Sequence, residues 1–164
     1  LVLIGMMGSG KSTIGFLLSK KIKLEFVDVD NYIENEEGMK IREIFERKGE
    51  EYFRKIELKK TLKILDKKRT VISLGGGAFV NEDIRKKVLS NHISIWLNWN
   101  SSTIKKRITN SKKRPLVINI SEKKINKMNI ERSKKYCLAN YKIDCENLSK
   151  NEIVMKIINF YESC

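Results

Sequence analysis

Residues 5–13 read GMMGSGKST, directly after the four aliphatic residues Leu1, Val2, Leu3 and Ile4. Three glycines, one lysine and three hydroxyls in nine positions are chemistry suited to phosphate. Gly5-Met6-Met7-Gly8-Ser9-Gly10-Lys11-Ser12 satisfies the pattern G-x-x-x-x-G-K-[ST]. The glycines let the backbone turn tightly, so that successive N–H groups can face an anion. Lys11 can reach β- and γ-phosphates, and the Ser12 hydroxyl can ligate Mg²⁺. A helix opening near Lys11 adds the positive end of its dipole. The aliphatic run before the loop and the helical pattern after it supply the strand–loop–helix setting that a plain turn lacks. A nucleoside triphosphate is the expected ligand, with Gly8, Ser9, Gly10, Lys11, Ser12 and Thr13 around its phosphates.

The rest of the 164-residue chain repeats this rhythm, with short aliphatic runs alternating with helical periodicity. Strands are predicted at 1–5, 25–28, 71–74, 93–97 and, more weakly patterned, 141–144. Helices are predicted at 11–21, 31–37, 41–65 with a break at Gly49, 82–89, 102–109, 122–140 and 150–161. Strands separated by helices imply an α/β fold with a parallel sheet covered on both faces. With no internal repeat or flexible linker, residues 1–164 are read as one domain. Residues 110–121 break the rhythm. They contain NSKKRPLVINI, with the chain's one proline, Pro115, next to Arg114. Such a segment between two helices is read as a lid rather than a passive connection.

Charge and cysteine content narrow the function. The net charge is +14, but residues 1–57 carry ten Lys/Arg against eleven Asp/Glu, and residues 58–164 carry 24 against nine. The basic residues fall mostly in lysine pairs on helical stretches, without the interleaved aromatics of an RNA-binding surface. No dedicated nucleic-acid partner is expected. No apolar run has transmembrane length and no signal-peptide pattern is present, so no membrane partner is expected either. Cys137, Cys145 and Cys164 have no metal-ligand spacing and are read as reduced thiols of a cytoplasmic protein. His92 is read as a surface residue, and Trp96 and Trp99 as packing near a strand end.

Three further segments bear on what receives the phosphate. In Phe26-Val27-Asp28-Val29-Asp30, alternation along a strand would project both carboxylates from one face at its C-terminal end. One could hold water on magnesium while the other accepts a proton from an attacking hydroxyl. The alternative is two solvated acids entering a helix, with Asp30 as its cap. The strand at 71–74 runs into Gly75-Gly76-Gly77, where a backbone or a ligand could approach closely. Arg54 and Glu57 are spaced i, i+3, so that the carboxylate could hold the guanidinium as a fork for a second carboxylate; a surface ion pair is the alternative. The aspartate–glycine and asparagine-lysine-x-aspartate signals of a GTPase are absent from the sequence.

Taken together, Gly5–Thr13, Asp28-Val29-Asp30, Phe53-Arg54 with Glu57, Gly75–Gly77, Arg114-Pro115-Leu116 and Arg132 with Tyr136 resemble shikimate kinase, in that family's order and over nearly the whole chain. The resemblance implies a P-loop NTPase fold of nucleoside-monophosphate-kinase type, with five parallel strands flanked by helices, a lid at 110–121 and a substrate-binding helical segment at 31–60. It implies transfer of the ATP γ-phosphate to the 3-hydroxyl of shikimate, in chorismate biosynthesis, with Mg²⁺ as cofactor; a monomer is expected, though the sequence itself does not give the oligomeric state. By position, Asp30 would bind the acceptor hydroxyls and serve as base. Arg54 and Arg132 would clamp its carboxylate, with the Gly75–Gly77 backbone against the ring. Ser12 would ligate Mg²⁺ directly and Asp28 through water. Arg107 would stack on adenine, and Lys11 and Arg114 would contact the phosphates. A sister kinase for an acid such as gluconate, and an ATP-binding regulator without turnover, are the competing readings.

Overall fold

The computed structural model describes residues 1–109 and 121–163. The predicted lid, apart from Ser121, and with it Arg114, lies outside these residues, as does Cys164. Strand β1 (Val2–Ile4) leads through the glycine loop into helix α1 (Lys11–Ile22). Strand β2 (Glu25–Asp28) is followed by α2 (Val29–Glu37) and the long α3 (Ile41–Ile64). Strand β3 (Thr70–Ser73), a short 3₁₀ turn (Ala78–Val80) and α4 (Glu82–Asn91) come next. Strand β4 (Ser94–Asn98), α5 (Ser101–Thr109), α6 (Glu122–Tyr136), β5 (Tyr141–Asp144) and α7 (Lys150–Glu162) complete the described chain.

The five strands form one parallel sheet in the order β2-β3-β1-β4-β5. Leu3 pairs with Ser73 on one side and Ile95 on the other, so β1 is the central strand. Helices pack against both faces, which is why the inner strands are uninterrupted apolar runs rather than alternating ones. Val2, Leu3, Val71, Ile72 and Ile95 are fully buried. Strand order reverses around β1, and the crevice beyond the carboxyl ends of β1, β3 and β4 is where an open parallel sheet binds its ligands.

Three expectations need correction. Asp28 and Asp30 do not share a strand face. β2 ends at Asp28, which is the N-cap of α2, its Oδ1 accepting from the Asn31 N–H at 3.1 Å. Asp30 lies in the first turn of that helix. Aspartate is among the best N-caps because its carboxylate satisfies an N–H the helix leaves open, and here that preference overrides strand alternation. His92 is half-buried rather than on the surface, and its Nε2 has no hydrogen-bond partner among the described residues. Burial lowers its pKa. The break expected at Gly49 is present: at φ 80°, ψ 171° it interrupts α3 in a conformation open to glycine. The helix predicted to reach 140 ends at Tyr136.

Ile72 is the side chain on which the sheet interior can be tested, since it sits on β3 between β2 and β1 without exposure. Replacing it by alanine is expected to destabilise the fold by about 2–5 kcal/mol through lost burial and a residual cavity. Thermal melting should show the midpoint lowered by roughly 2–4 °C for each kcal/mol lost.

Candidate active site

The glycine loop is built around the Lys11 side chain. Its Nζ donates to the carbonyls of Gly5 (2.8 Å) and Met6 (2.9 Å), and the residue is 7% exposed. The ammonium therefore spans the loop from inside. Gly8 (φ 78°) and Gly10 (φ 87°) have left-handed backbones that side chains rarely adopt, and together they curl the chain around it. Gly10 is the N-cap of α1, and no side chain caps that helix. Its first-turn N–H groups are thus left for an anion, which the helix dipole also favours. A cleft of about 200 Å³ opens there, lined by Gly8, Gly10, Lys11, Ser12 and Thr13, with Asp28, Asp30, Ser73, Leu74, Arg107 and Ile108. Ser9 is 1% exposed and lies beneath the loop.

Ser12 and Asp28 meet on the floor of this cleft. The Ser12 hydroxyl donates to Asp28 Oδ2 at 2.5 Å, while the other Asp28 oxygen caps α2. A hydroxyl and a carboxylate converging beside a phosphate loop are hard oxygen donors of the kind Mg²⁺ takes, together with water and nucleotide oxygens. Among the described residues no cluster of three or more carboxylate, histidine or cysteine side chains could form a self-sufficient metal cage. None is required for a magnesium that arrives with a nucleotide.

Each of the three consecutive glycines makes room for a different group. A Cβ on Gly75 would lie 2.7 Å from Asp30 Oδ1 and 2.8 Å from Glu57 Oε1. One on Gly76 would lie 2.9 Å from the Met7 backbone nitrogen and 3.5 Å from Arg132 NH1, and one on Gly77 3.0 Å from Arg54 NH1. Two carboxylates, the glycine loop itself and two guanidiniums thus converge on one bare stretch of backbone. The Gly75–Gly77 segment adjoins the nucleotide cleft through Asp30, which belongs to both.

The guanidiniums are held in place. Arg54 NH1 donates to Glu57 at 2.7 Å, and its Nε and NH2 donate to Glu50 at 3.3 and 3.1 Å. Glu57 is 4% exposed, so this pair is more than the surface contact that spacing alone allowed. Burial works against the Arg54 charge, but Glu57 and Glu50 outweigh it and raise the pKa further. Arg132 NH1 donates to the Gly76 carbonyl at 3.1 Å, and the Tyr136 hydroxyl donates to the same oxygen. Burial pushes the Tyr136 pKa up to about 12, against the pull of Arg132, so it remains a hydroxyl donor at any working pH. Arg132 and Tyr136 lie one helical turn apart on α6, so both reach the same carbonyl.

On the opposite side of the loop, Arg107 from α5 lies over the Trp99 ring, its guanidinium carbon 3.6 Å from the centroid. The Trp99 indole N–H donates to the Ser9 carbonyl at 3.0 Å. Trp99, read from sequence as packing, and Glu50 are given a place at the site by the structure, as are Ser73, Leu74 and Ile108 of the cleft lining. A tryptophan at the carboxyl end of a strand, eight residues before Arg107, was the available signal.

The chain is also similar to known proteins. A family model described as shikimate kinase matches residues 7–162. The shikimate kinase of Sulfurihydrogenibium sp. (strain YO3AOP1) is 40% identical over 156 residues, 95% of this chain and 93% of its own. That of Bacillus subtilis (strain 168) is 40% identical over 164 residues, covering 96% of this chain and 86% of its own. A solved shikimate kinase from Acinetobacter baumannii, in complex with shikimate, matches with a TM-score of 0.92 at 30% identity, over 99% of this chain and 92% of that one. A deoxyadenosine kinase from M. mycoides, at 18% identity and a TM-score of 0.66, shares the fold. With its P-loop, parallel sheet and two held arginines facing a triple glycine, the chain belongs to the shikimate kinase family, a family of ATP-dependent kinases.

Proposed function

We propose that this chain transfers the γ-phosphate of ATP to the 3-hydroxyl of shikimate, in the cytoplasm, as a step towards chorismate and the aromatic amino acids. The observation that carries this reading is the convergence of Asp30, Arg54 and Arg132 on the Gly75–Gly77 backbone, next to the phosphate loop. Two fixed cations suit an acceptor with a carboxylate, and a carboxylate between them and the nucleotide suits an acceptor with hydroxyls. The family relatives, one of them in complex with shikimate, agree in acceptor.

The chemistry follows from position. Arg54, held by Glu57, and Arg132, held on the Gly76 carbonyl, orient the acid. Asp30 then takes the proton of the hydroxyl that faces the nucleotide. The loop N–H groups and Lys11 hold the phosphates, and Arg107 lies where a base can stack. Ser12 and Asp28 would hold Mg²⁺, which when bound neutralises charge on the transferring group. Residues 110–121 act as the lid, bringing Arg114 to the phosphates and excluding water, a competing acceptor. The lid assignment is supported by the sequence motif. The helical segment at 31–60 contributes Arg54 to the acceptor side, which Asp30, Gly75–Gly77 and Arg132 complete. Catalysis is then mostly alignment and charge, as expected for phosphoryl transfer.

The deciding experiment follows ADP release from ATP and Mg²⁺ with shikimate, gluconate or no acceptor. Turnover with shikimate alone is expected. Activity with gluconate alone would keep the phosphate chemistry and overturn the acceptor. ATP binding without turnover on any acceptor would make the protein a regulator.

Two substitutions separate the parts of the site. Arg54→Lys replaces a planar fork with a point charge and should raise the acceptor KM about 10- to 100-fold, with the ATP KM changed less than about twofold. Steady-state kinetics with each substrate varied in turn checks this, and an unchanged acceptor KM would remove the clamp role. Gly76→Ala places a methyl 2.9 Å from the Met7 nitrogen. Because it pushes the phosphate loop and the acceptor wall apart together, both KM values should worsen, and kcat/KM should fall about tenfold or more.

A further inference from the structure

The Trp99 side chain touches the phosphate loop with one edge and the base-facing arginine with its face. Its indole N–H donates to the Ser9 carbonyl at 3.0 Å, in a buried setting. Its ring carries the Arg107 guanidinium at 3.6 Å, within cation–π range. We propose that Trp99 is a positioning residue of the nucleotide half-site, locking the Ser9–Gly10 peptide in its anion-binding orientation and backing the platform on which the base stacks. This rests on the loop's reading as a triphosphate site and not on the identity of the acceptor.

In a trans peptide the C=O and N–H point in opposite directions. With the Ser9 carbonyl fastened to the indole, the Gly10 N–H is turned away from Trp99, and Gly10 lines the phosphate cleft. The lock is needed because Gly10 supplies no resistance of its own. Its φ is 87°, glycine adopts either sign, and nothing lies within 4 Å of where its Cβ would be. A flip of that one peptide would replace an inward N–H donor with a carbonyl oxygen aimed at phosphate. Lys11 fastens the Gly5 and Met6 carbonyls on the inside of the same loop. Trp99 fastens the next carbonyl that matters from the outside.

The test is direct binding, with inorganic tripolyphosphate and ATP titrated separately by calorimetry in the presence of Mg²⁺. Trp99→Phe keeps a ring under Arg107 but removes the N–H. Both ligands should weaken by a similar factor, about fivefold to a hundredfold, the range for an orphaned buried acceptor. Trp99→Leu also removes the π face, and should cost further affinity for ATP but none for tripolyphosphate. Parent-like tripolyphosphate affinity in a Trp99→Phe protein that melts within a few degrees of the parent overturns the lock and leaves Trp99 as packing. Equal ATP affinity in the Phe and Leu variants overturns the platform. If the Phe variant does not fold, 3-benzothienylalanine at position 99 keeps the ring and volume and lacks only the N–H, so the same titration decides. No acceptor enters either titration, so a wrong acceptor assignment is read separately, from turnover of the parent.

Discussion

The close approach of Gly76 to the Met7 peptide nitrogen sets the geometry on which the site depends. In the proposed reaction, one strand ends in the loop that holds the triphosphate, and the neighbouring strand ends in the loop that holds the acceptor. In-line transfer needs the two within reach of one phosphoryl group. Parallel pairing of β1 with β3 brings their carboxyl ends side by side, but side chains would still keep the two loops apart. The absence of a Cβ at Gly76 removes that spacer, since even a methyl there would sit 2.9 Å from the Met7 nitrogen. Much of the rest is support for this contact: Arg132 and Tyr136 grip the Gly76 carbonyl from α6, and Met6 lies against both of those side chains.

Several polar groups at the site are used twice. Asp28 caps α2 with one oxygen and receives the Ser12 hydroxyl with the other. Glu57 holds Arg54 and packs against Gly75. Trp99 serves the phosphate loop and Arg107. Burial makes an unsatisfied polar group costly, so a small site made of fully engaged groups holds one geometry.

Much of the fold and site was legible in the sequence, unevenly and for physical reasons. The phosphate loop could be read because its chemistry is local: turn, donors and helix start lie within nine residues. The alternation of strands and helices could be read because periodicity is local too. Strand order was not readable from periodicity, since nothing in the pattern of β3 says that it lies between β2 and β1. Asp28 and Asp30 both line the phosphate cleft, but as a helix cap and a first-turn residue rather than by strand alternation, which so short a stretch as FVDVD cannot decide. The three glycines were recognisable as a close approach, but not which three groups approach them, because Asp30, Met7 and Arg54 come from distant parts of the chain. Trp99 was passed over for a related reason: a buried tryptophan reads as core until the carbonyl that it serves is located.

The Gly76–Met7 contact also bears on ligands that were never substrates. Because only a sliver of backbone divides the acceptor wall from the phosphate loop, a single molecule could occupy both with a short bridge. An acidic head for the two arginines, joined by a few atoms to a phosphate-mimicking tail, would lose its translational freedom once rather than twice. Its affinity could therefore far exceed that of either fragment. Such a bridged compound would have to thread past Asp30, whose carboxylate favours a hydroxyl or an amine at the joint.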